Sequence, residues 1–295
     1  MKKLLFLISM MFFLIACNKN NIDKPEILYP VQVEVNLIVS PAIDMGSPGT
    51  VTSSTADSAL NKLSVLYYMV FDETGKYLHQ VQQLSTVANF GVFSDQLKVG
   101  KYTIVLTAST GDIMLAVTPL NLSVTKFKAI TGSGDIFFNK SEITVTSDGL
   151  IQKFFLKRIV GYLELKSVAA IASNVAKISF SVVNEAPYLW CATEAVDLNI
   201  IEKSTVIKDV TSANRSNFSI GKYIMNDLQV LSIQVITLDA SGALIKSKTI
   251  GNIKIERSKM RSIGANLTDL MSVGIGLDLN DEWEVDTIPI PFNLY

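Results

Sequence analysis

The sequence predicts an all-β protein built as two tandem Greek-key β-sandwich domains. Three observations carry this. Short segments with two-residue apolar alternation, or rich in β-branched residues, recur along the whole chain. Clusters of Gly, Asp, Ser and Pro separate them at the spacing of turns between strands. The length, 295 residues with 48% apolar and 18% charged side chains, suits two domains of ordinary size with real cores and argues against disorder. No amphipathic helix longer than a few turns is predicted; residues 166–175 are the one short helical candidate.

The chain begins with Lys2 and Lys3, continues with an unbroken apolar run over residues 4–15, and closes that run with Leu14-Ile15-Ala16-Cys17. This is the pattern of a secretory leader. Its last four residues resemble the lipobox of bacterial lipoproteins, in which a peptidase cuts before the cysteine once the thiol carries diacylglycerol. The likeness makes Leu14, Ile15 and Ala16 the recognition residues of the peptidase and Cys17 the lipid attachment site. The run is too short for a permanent span, which takes ~20 residues. Each buried acyl methylene contributes ~0.8 kcal/mol, so two or three chains of the length of palmitate hold a protein durably. Residues 18–25 (NKNNIDKP) are polar, without apolar period, and read as a flexible tether. The expected organisation is a signal peptide over 1–16, a tether over 17–27, an N-terminal sandwich over 28–159 and a C-terminal sandwich over 160–295.

Residues 31–39 (VQVEVNLIV) put Val31, Val33, Val35, Leu37 and Val39 on one face and Gln32, Glu34 and Asn36 on the other, the clearest strand signal present. Residues 40–58 are rich in Pro, Gly, Ser and Thr and read as a long loop. A hairpin follows, with residues 65–71 and 77–84 joined by an Asp-Glu-Thr-Gly turn. Residues 228–238, the turn Asp239-Ala240-Ser241-Gly242 and residues 243–250 form a hairpin of the same skeleton, which suggests a repeated unit. Between the copies lie a strand at 100–108 (GKYTIVLTA), a short aromatic one at 135–138 and another at 143–145. Residues 150–168 form a long crossover segment bent at Gly161, and the domain boundary is expected near 158–161.

The charge balance excludes several classes of function. The formal net charge of −1 becomes about −3 without Lys2 and Lys3, so no basic field exists to attract nucleic acid. With Cys17 acylated, Cys191 is the only thiol and no intrachain disulfide can form; its apolar context suits a small core residue. His79 is the only histidine and sits on a returning hairpin strand, where an edge or surface role is expected rather than that of a catalytic base. There is no Cys/His cluster for zinc and no Gly-rich loop before a helix. Asp278, Asp281, Glu282 and Glu284 lack calcium-loop spacing and read as a solvated turn, with Trp283 packing on a neighbouring strand. The chain reads as non-enzymatic, with no metal and no cofactor.

The last eight residues (IPIPFNLY) place Ile288, Ile290, Phe292 and Leu294 on one face of an extended strand. Pro289 and Pro291 remove amide donors from one edge only, which leaves the other edge able to pair. Such a strand can belong to its own domain or be offered to another subunit, where four side chains at ~1.5–3 kcal/mol each would make a durable joint.

Taken in order, the leader, the polar tether, VQVEVNLIV, the VFDETG hairpin, GKYTIVLTA, DIFF and FFLKRIVGYLEL resemble the FimB-like fimbrial anchor proteins of Bacteroidales. The likeness covers most of residues 28–280. It implies two transthyretin-like β-sandwich domains, assembly by strand exchange, and a lipid-anchored structural subunit on the outer membrane that holds or caps a fibre. The implied partners are fimbrial stalk or accessory subunits and, through the acyl chains, the membrane. The implied strand-exchange residues are Val31, Val33, Val35 and Leu37 together with the tail residues Ile288, Ile290, Phe292 and Leu294. Stalk subunits of such fimbriae lose lipid and first strand by cleavage after an arginine. The first arginine here is Arg158, and Lys62 is the site left for a lysine-specific enzyme. A surface glycan-binding lipoprotein and a fimbrial tip adhesin are the alternatives.

Replacing Cys17 by Ser should abolish labelling with palmitate and move the protein from the membrane fraction to the soluble one. Unlabelled protein that stays with the membrane would exclude the lipid tether.

Overall fold

A computed structural model describes residues 26–38, 60–115, 121–130, 134–225 and 230–268. Leu14, Ile15, Ala16 and Cys17, most of the tether, Val39, the loop at 40–58, the acidic run around Trp283 and the tail residues Ile288, Ile290, Phe292 and Leu294 lie outside the described residues.

Seventeen strands and one turn of 3-10 helix (Leu122–Val124) make up the named elements among the described residues. The first nine strands are β1 (Tyr29–Leu37), β2 (Val65–Asp72), β3 (Tyr77–Leu84), β4 (Val92–Leu97), β5 (Gly100–Ser109), β6 (Ile113–Leu115), β7 (Lys126–Ala129), β8 (Ile136–Val145) and β9 (Leu150–Arg158). After them come β10 (Gly161–Ser167), β11 (Lys177–Glu185), β12 (Tyr188–Trp190), β13 (Glu202–Asp209), β14 (Ser219–Ile224), β15 (Leu231–Leu238), β16 (Leu244–Ile253) and β17 (Met260–Ala265).

The first seven-stranded sheet runs β3-β2-β5-β8-β9-β1-β4. Its strands β8 and β9 pair only at Phe137–Arg158 and Phe138–Lys157, so the sheet opens there into two layers, β3-β2-β5-β8 and β9-β1-β4. One core fills the space between them, with Val33, Leu66, Tyr68, Ile104, Leu106 and Leu156 fully buried. The second half repeats the wiring: a four-stranded layer β13-β11-β15-β16 faces a three-stranded layer β14-β10-β17. In both halves the first strand lies in the middle of the smaller layer. It is antiparallel to the fourth strand of its unit and parallel to the last, as β1 is to β4 and β9, and β10 to β14 and β17.

The strands outside this shared plan are β6 and β7 in the first half and β12 in the second. They pair with one another as the sheet β12-β7-β6. Under that sheet lies a third core, built from Met69, Phe71, Val105, Ile136 and Phe138 of the first half and Ala186, Leu189, Cys191 and Met225 of the second. Phe127 stacks on Phe138 with ring centroids 5.7 Å apart. Ile159 and Val160, the only residues between β9 and β10, are fully buried in the same core. Strands β2 and β5 and the start of β8 (Ile136, Phe137 and Phe138) are therefore covered on both faces, which is why these stretches run apolar with little alternation.

Three expectations are corrected. Residues 166–175 form no helix: Lys166 and Ser167 end β10, and the segment after them is irregular. Its carbonyls are engaged from outside, since Arg215 donates to the oxygens of Ile171, Ala172 and Val175, while Ile171 and Val175 plug the second core. The strands expected at 135–138 and 143–145 are one ten-residue strand, β8, held in register by β5 from Gly100–Val145 to Ser109–Ile136. The two similar hairpins are not equivalent copies, because β2–β3 corresponds in wiring to β11–β13 whereas β15–β16 corresponds to β5–β8. What they share is a turn. Asp72 Oδ1 accepts from the amides of Thr74 and Lys76 and the Thr74 hydroxyl at 2.6–3.0 Å, as Asp239 does from Ser241 and Ala243 at 2.7–2.9 Å. Gly75 (φ 80°) and Gly242 (φ 86°) take the left-handed position that each turn needs.

Gly161, read from the sequence as a bend, opens β10 where the backbone passes against Ile255 and the Glu256 carbonyl, and a Cβ there would overlap both. Gly161→Ala should lower the unfolding free energy by about 1–3 kcal/mol in denaturant titration. An unchanged midpoint would mean that β10 shifts freely.

Candidate functional site

The sequence singles out β1, and the structure seats it between two neighbours in the smaller layer of the first unit. Val31, Val33, Val35 and Leu37 are 2%, 0%, 3% and 4% exposed, so the alternation maps onto an inner face. On one side β1 pairs with β4 from Tyr29–Leu97 to Glu34–Val92, and on the other with β9 from Val31–Leu150 to Leu37–Leu156. The Val35 amide continues the first ladder to Gly91 O at 2.8 Å, and the Ile38 amide continues the second to Leu156 O at 2.9 Å. The four inward side chains contribute roughly 6–12 kcal/mol of gross burial at the usual value per side chain. That is of the same order as the whole stability of a domain, about 5–15 kcal/mol.

The outward face of the same layer differs. Glu34 reaches Lys153 across the ladder at 3.2 Å, and Ile151 and Phe155 are 71% and 53% exposed. A groove of about 610 Å³ runs along its lower end between Gln32, Ser94, Asp95, Gln96, Asp148 and Ile151.

The two protease sites raised by the sequence lie in opposite surroundings. Lys62 is exposed, two residues past Leu60 and next to the buried Leu63. Arg158 is held inside the junction of the halves: its Nε lies 2.8 and 2.7 Å from the two carboxylate oxygens of Asp135, and its Nη2 lies 2.7 Å from Oδ2. The side chains are 7% and 0% exposed, and the guanidinium also covers the Phe137 ring at 5.4 Å. Burial pushes the Asp135 carboxyl up, against the pull of Arg158.

His79 stands at an edge strand, as expected, but it has partners that the sequence did not reveal. Its Nε2 lies 2.8 Å from Asp95 Oδ2, and the buried Tyr68 donates its hydroxyl to the same oxygen at 2.9 Å. The hydrogen bond to Asp95 raises the His79 pKa above its ordinary value, against burial. Burial works against ionisation of Asp95 as well, yet hydrogen bonds from His79, the Gln96 amide and Tyr68 hold its carboxyl below the usual range.

Cys191 is fully buried, and burial pushes its thiol up to about 12, which makes it an inert core residue. Trp190 is half-buried beside Tyr188 on β12, and the Lys126 ammonium covers both rings at 4.5 and 4.8 Å while pairing with Asp197 at 2.9 Å. That cluster staples β12 to β7. Sequence reasoning passed over β4, the Asp135–Arg158 pair and the Lys126 cluster. Val92–Leu97 (VFSDQL) has no two-residue apolar alternation, so β4 leaves no local signal. Among the described residues no group of three or more His, Cys, Asp or Glu side chains could hold a metal, and no helix is long and apolar enough to cross a membrane.

Residues 30–294 match the family model described as the fimbrillin-A associated anchor proteins Mfa1 and Mfa2. No curated protein matches the chain. Among solved structures, one from Bacteroides thetaiotaomicron, whose proposed role is polysaccharide binding, is 10% identical and covers 88% of this chain and 100% of its own, with a TM-score of 0.53. A protein from Bacteroides ovatus, proposed to be an adhesin, is 9% identical, with 76% and 83% covered and a TM-score of 0.51. The fimbrial anchor protein Mfa2 from Porphyromonas gingivalis is 10% identical, with 81% and 91% covered and a TM-score of 0.46. The first two share this fold.

Asp135→Ala should destabilise the protein by about 3–5 kcal/mol, because it leaves the Arg158 guanidinium buried without its carboxylate. It should also admit an arginine-specific protease at Arg158, read as a new cleavage product. Resistance equal to that of the parent would show that the pair does not protect this bond.

Proposed function

The chain belongs to the family of fimbrillin-A associated anchor proteins, and on that premise we propose that it is a lipid-anchored structural subunit that holds or caps a fimbria through β-strand complementation. A fimbria-associated role at the cell surface goes with the family. The anchor role rests on one observation above the others: β1 is seated in its own sheet, and the sequence up to Arg158 offers no arginine at which to cut it away. Arg158 itself is closed off by Asp135. A subunit that keeps β1 keeps everything before it, including Cys17 and the acyl chains proposed there.

The filled seat also sets a polarity. A groove occupied by the chain's own strand cannot receive a neighbour's, so such a subunit takes part in strand exchange as a donor and stands at one end of a fibre. The tail residues Ile288, Ile290, Phe292 and Leu294 are the strand proposed for donation, with stalk or accessory subunits as acceptors. Were Val31, Val33, Val35 and Leu37 removed, the same groove would become an acceptor. The lipid at Cys17 places the fixed end at the outer membrane.

Mass spectrometry of the protein from the outer membrane should find it beginning at an acylated Cys17 and containing residues 31–39. A mature form starting after Lys62 would overturn the anchor reading in favour of a stalk subunit. Deleting residues 288–295 should abolish association with fimbrial partners while circular dichroism and the melting temperature stay near those of the parent. If the second half unfolds instead, the tail is an internal strand and the donor assignment fails.

A further inference from the structure

Each unit carries one polar cluster at the same place in its wiring. In the first unit Tyr68 of β2, His79 of β3 and Asp95 of β4 meet at the Asp95 carboxylate. In the second, Glu185 of β11, Ser204 of β13 and Lys222 of β14 meet: Lys222 Nζ donates to Glu185 and to the Ser204 hydroxyl, which donates to Glu185 in turn. These are the second, third and fourth strands of the common plan. The third is the outer strand of the larger layer and the fourth the outer strand of the smaller one. No backbone ladder joins β3 to β4 or β13 to β14. On that side of each sandwich side chains tie the two layers together: the cluster is joined by Gln83 of β3, which donates to Val92 O and accepts from the Gly91 amide at 2.8 and 2.9 Å, and in the second unit by Lys208 of β13, which donates to Ser219 O at 2.8 Å.

The clusters share a position but not a chemistry. Histidine is the only side chain whose ordinary titration falls between about pH 5 and 8, and only the first cluster contains one. The His79 side chain is 37% exposed and Asp95 14%, and the groove beside Asp95 opens to solvent, so protons have access. We propose that the two clusters are layer latches and that the first is a pH-dependent one, which loosens β4, and with it one side of the β1 seat, as the solution becomes alkaline.

The groups facing His79 support this direction. From β4 comes Asp95; from β2 comes the Tyr68 phenol, whose ring lies 6.3 Å from the imidazole. From β5, Tyr102 points into the same region and donates to Lys98 O, within the electrostatic reach of Asp95, Asp72 and Lys98. Among the described residues the one anion in contact with the imidazole is Asp95. His79 is raised by that contact, so its contribution is complete below about pH 6.5 and is lost as pH climbs through the raised value. Asp95 is lowered, so its contribution holds above about pH 4 and is lost only in stronger acid. The latch is closed between these limits. The Tyr68 hydrogen bond survives on the alkaline side and keeps β4 from leaving altogether.

Hydrogen exchange of the full chain at pH 5.5 and 8.5, corrected for intrinsic rates, tests the latch independently of any fimbrial role. In the parent, peptides covering 77–84 and 92–97 should exchange several-fold faster at the higher pH, and residues 29–37 less so. Peptides covering 202–209 and 219–224 should show no change. His79→Lys, which keeps its charge, should remain protected at both values, and His79→Gln should be unprotected at both; peptides from β11 and β15 report whether either variant is folded. Protection of 92–97 that is independent of pH in the parent, or equally dependent on pH in His79→Gln, would overturn the proposal. Loss of fimbrial association with the latch intact would instead count against the anchor reading.

Discussion

The first strand of the chain ends in the middle of a sheet. Because β1 lies between β4 and β9, it satisfies the inner edges of both, and its four inward side chains fill the space that Leu66, Tyr68, Ile104 and Leu106 close from the opposite layer. Without it the first unit would present two rows of unpaired backbone groups and an apolar trough, a combination with a free-energy cost comparable to the stability of a small domain. The unit therefore needs a strand in that place at all times, its own or another's. That requirement is the physical basis of the strand exchange proposed above.

The two halves are bound by strands that lie outside their common plan. Strand β12 pairs with β7 through Leu189–Phe127 and its neighbours, and the sheet they form lies over a core drawn from both halves. The covalent link is Ile159–Val160, buried in the same core, and the Asp135–Arg158 pair closes it from the side. A connection this short and this enclosed resists bending. It also explains why the segment from β9 to β10 reads in sequence as one continuous run.

Much of the fold was legible because its signals are local. The alternation of residues 31–37, the apolar run of 100–108 and the Asp-x-x-Gly turns correspond to β1, β5 and the hairpins at Asp72 and Asp239, since pleat and turn chemistry depend on neighbours a few residues away. The same locality hides the repeat. Two turns share one chemistry, whereas the repeated object is an order of strands, which leaves no mark in any short window. The helix expected at 166–175 failed for a related reason, since Lys166 and Ser167 pair with β14 and β17 and the Val168 amide donates to Ala265 O, partners that lie about 50 to 100 residues later.

The candidate site divides along the same line. By itself the sequence determined an all-β chain, a lipobox-like leader, a first strand with one apolar face, and a stretch without arginine up to Arg158, because each of these is written in the identity and spacing of adjacent residues. Only the tertiary structure decided that β1 is clamped on both edges, that Arg158 is sealed by Asp135, and that the sole histidine is paired with Asp95 across two layers. Those facts join residues 16 to about 120 positions apart. Burial and pairing at such separations are set by how the layers close on each other, and no local pattern encodes that closure.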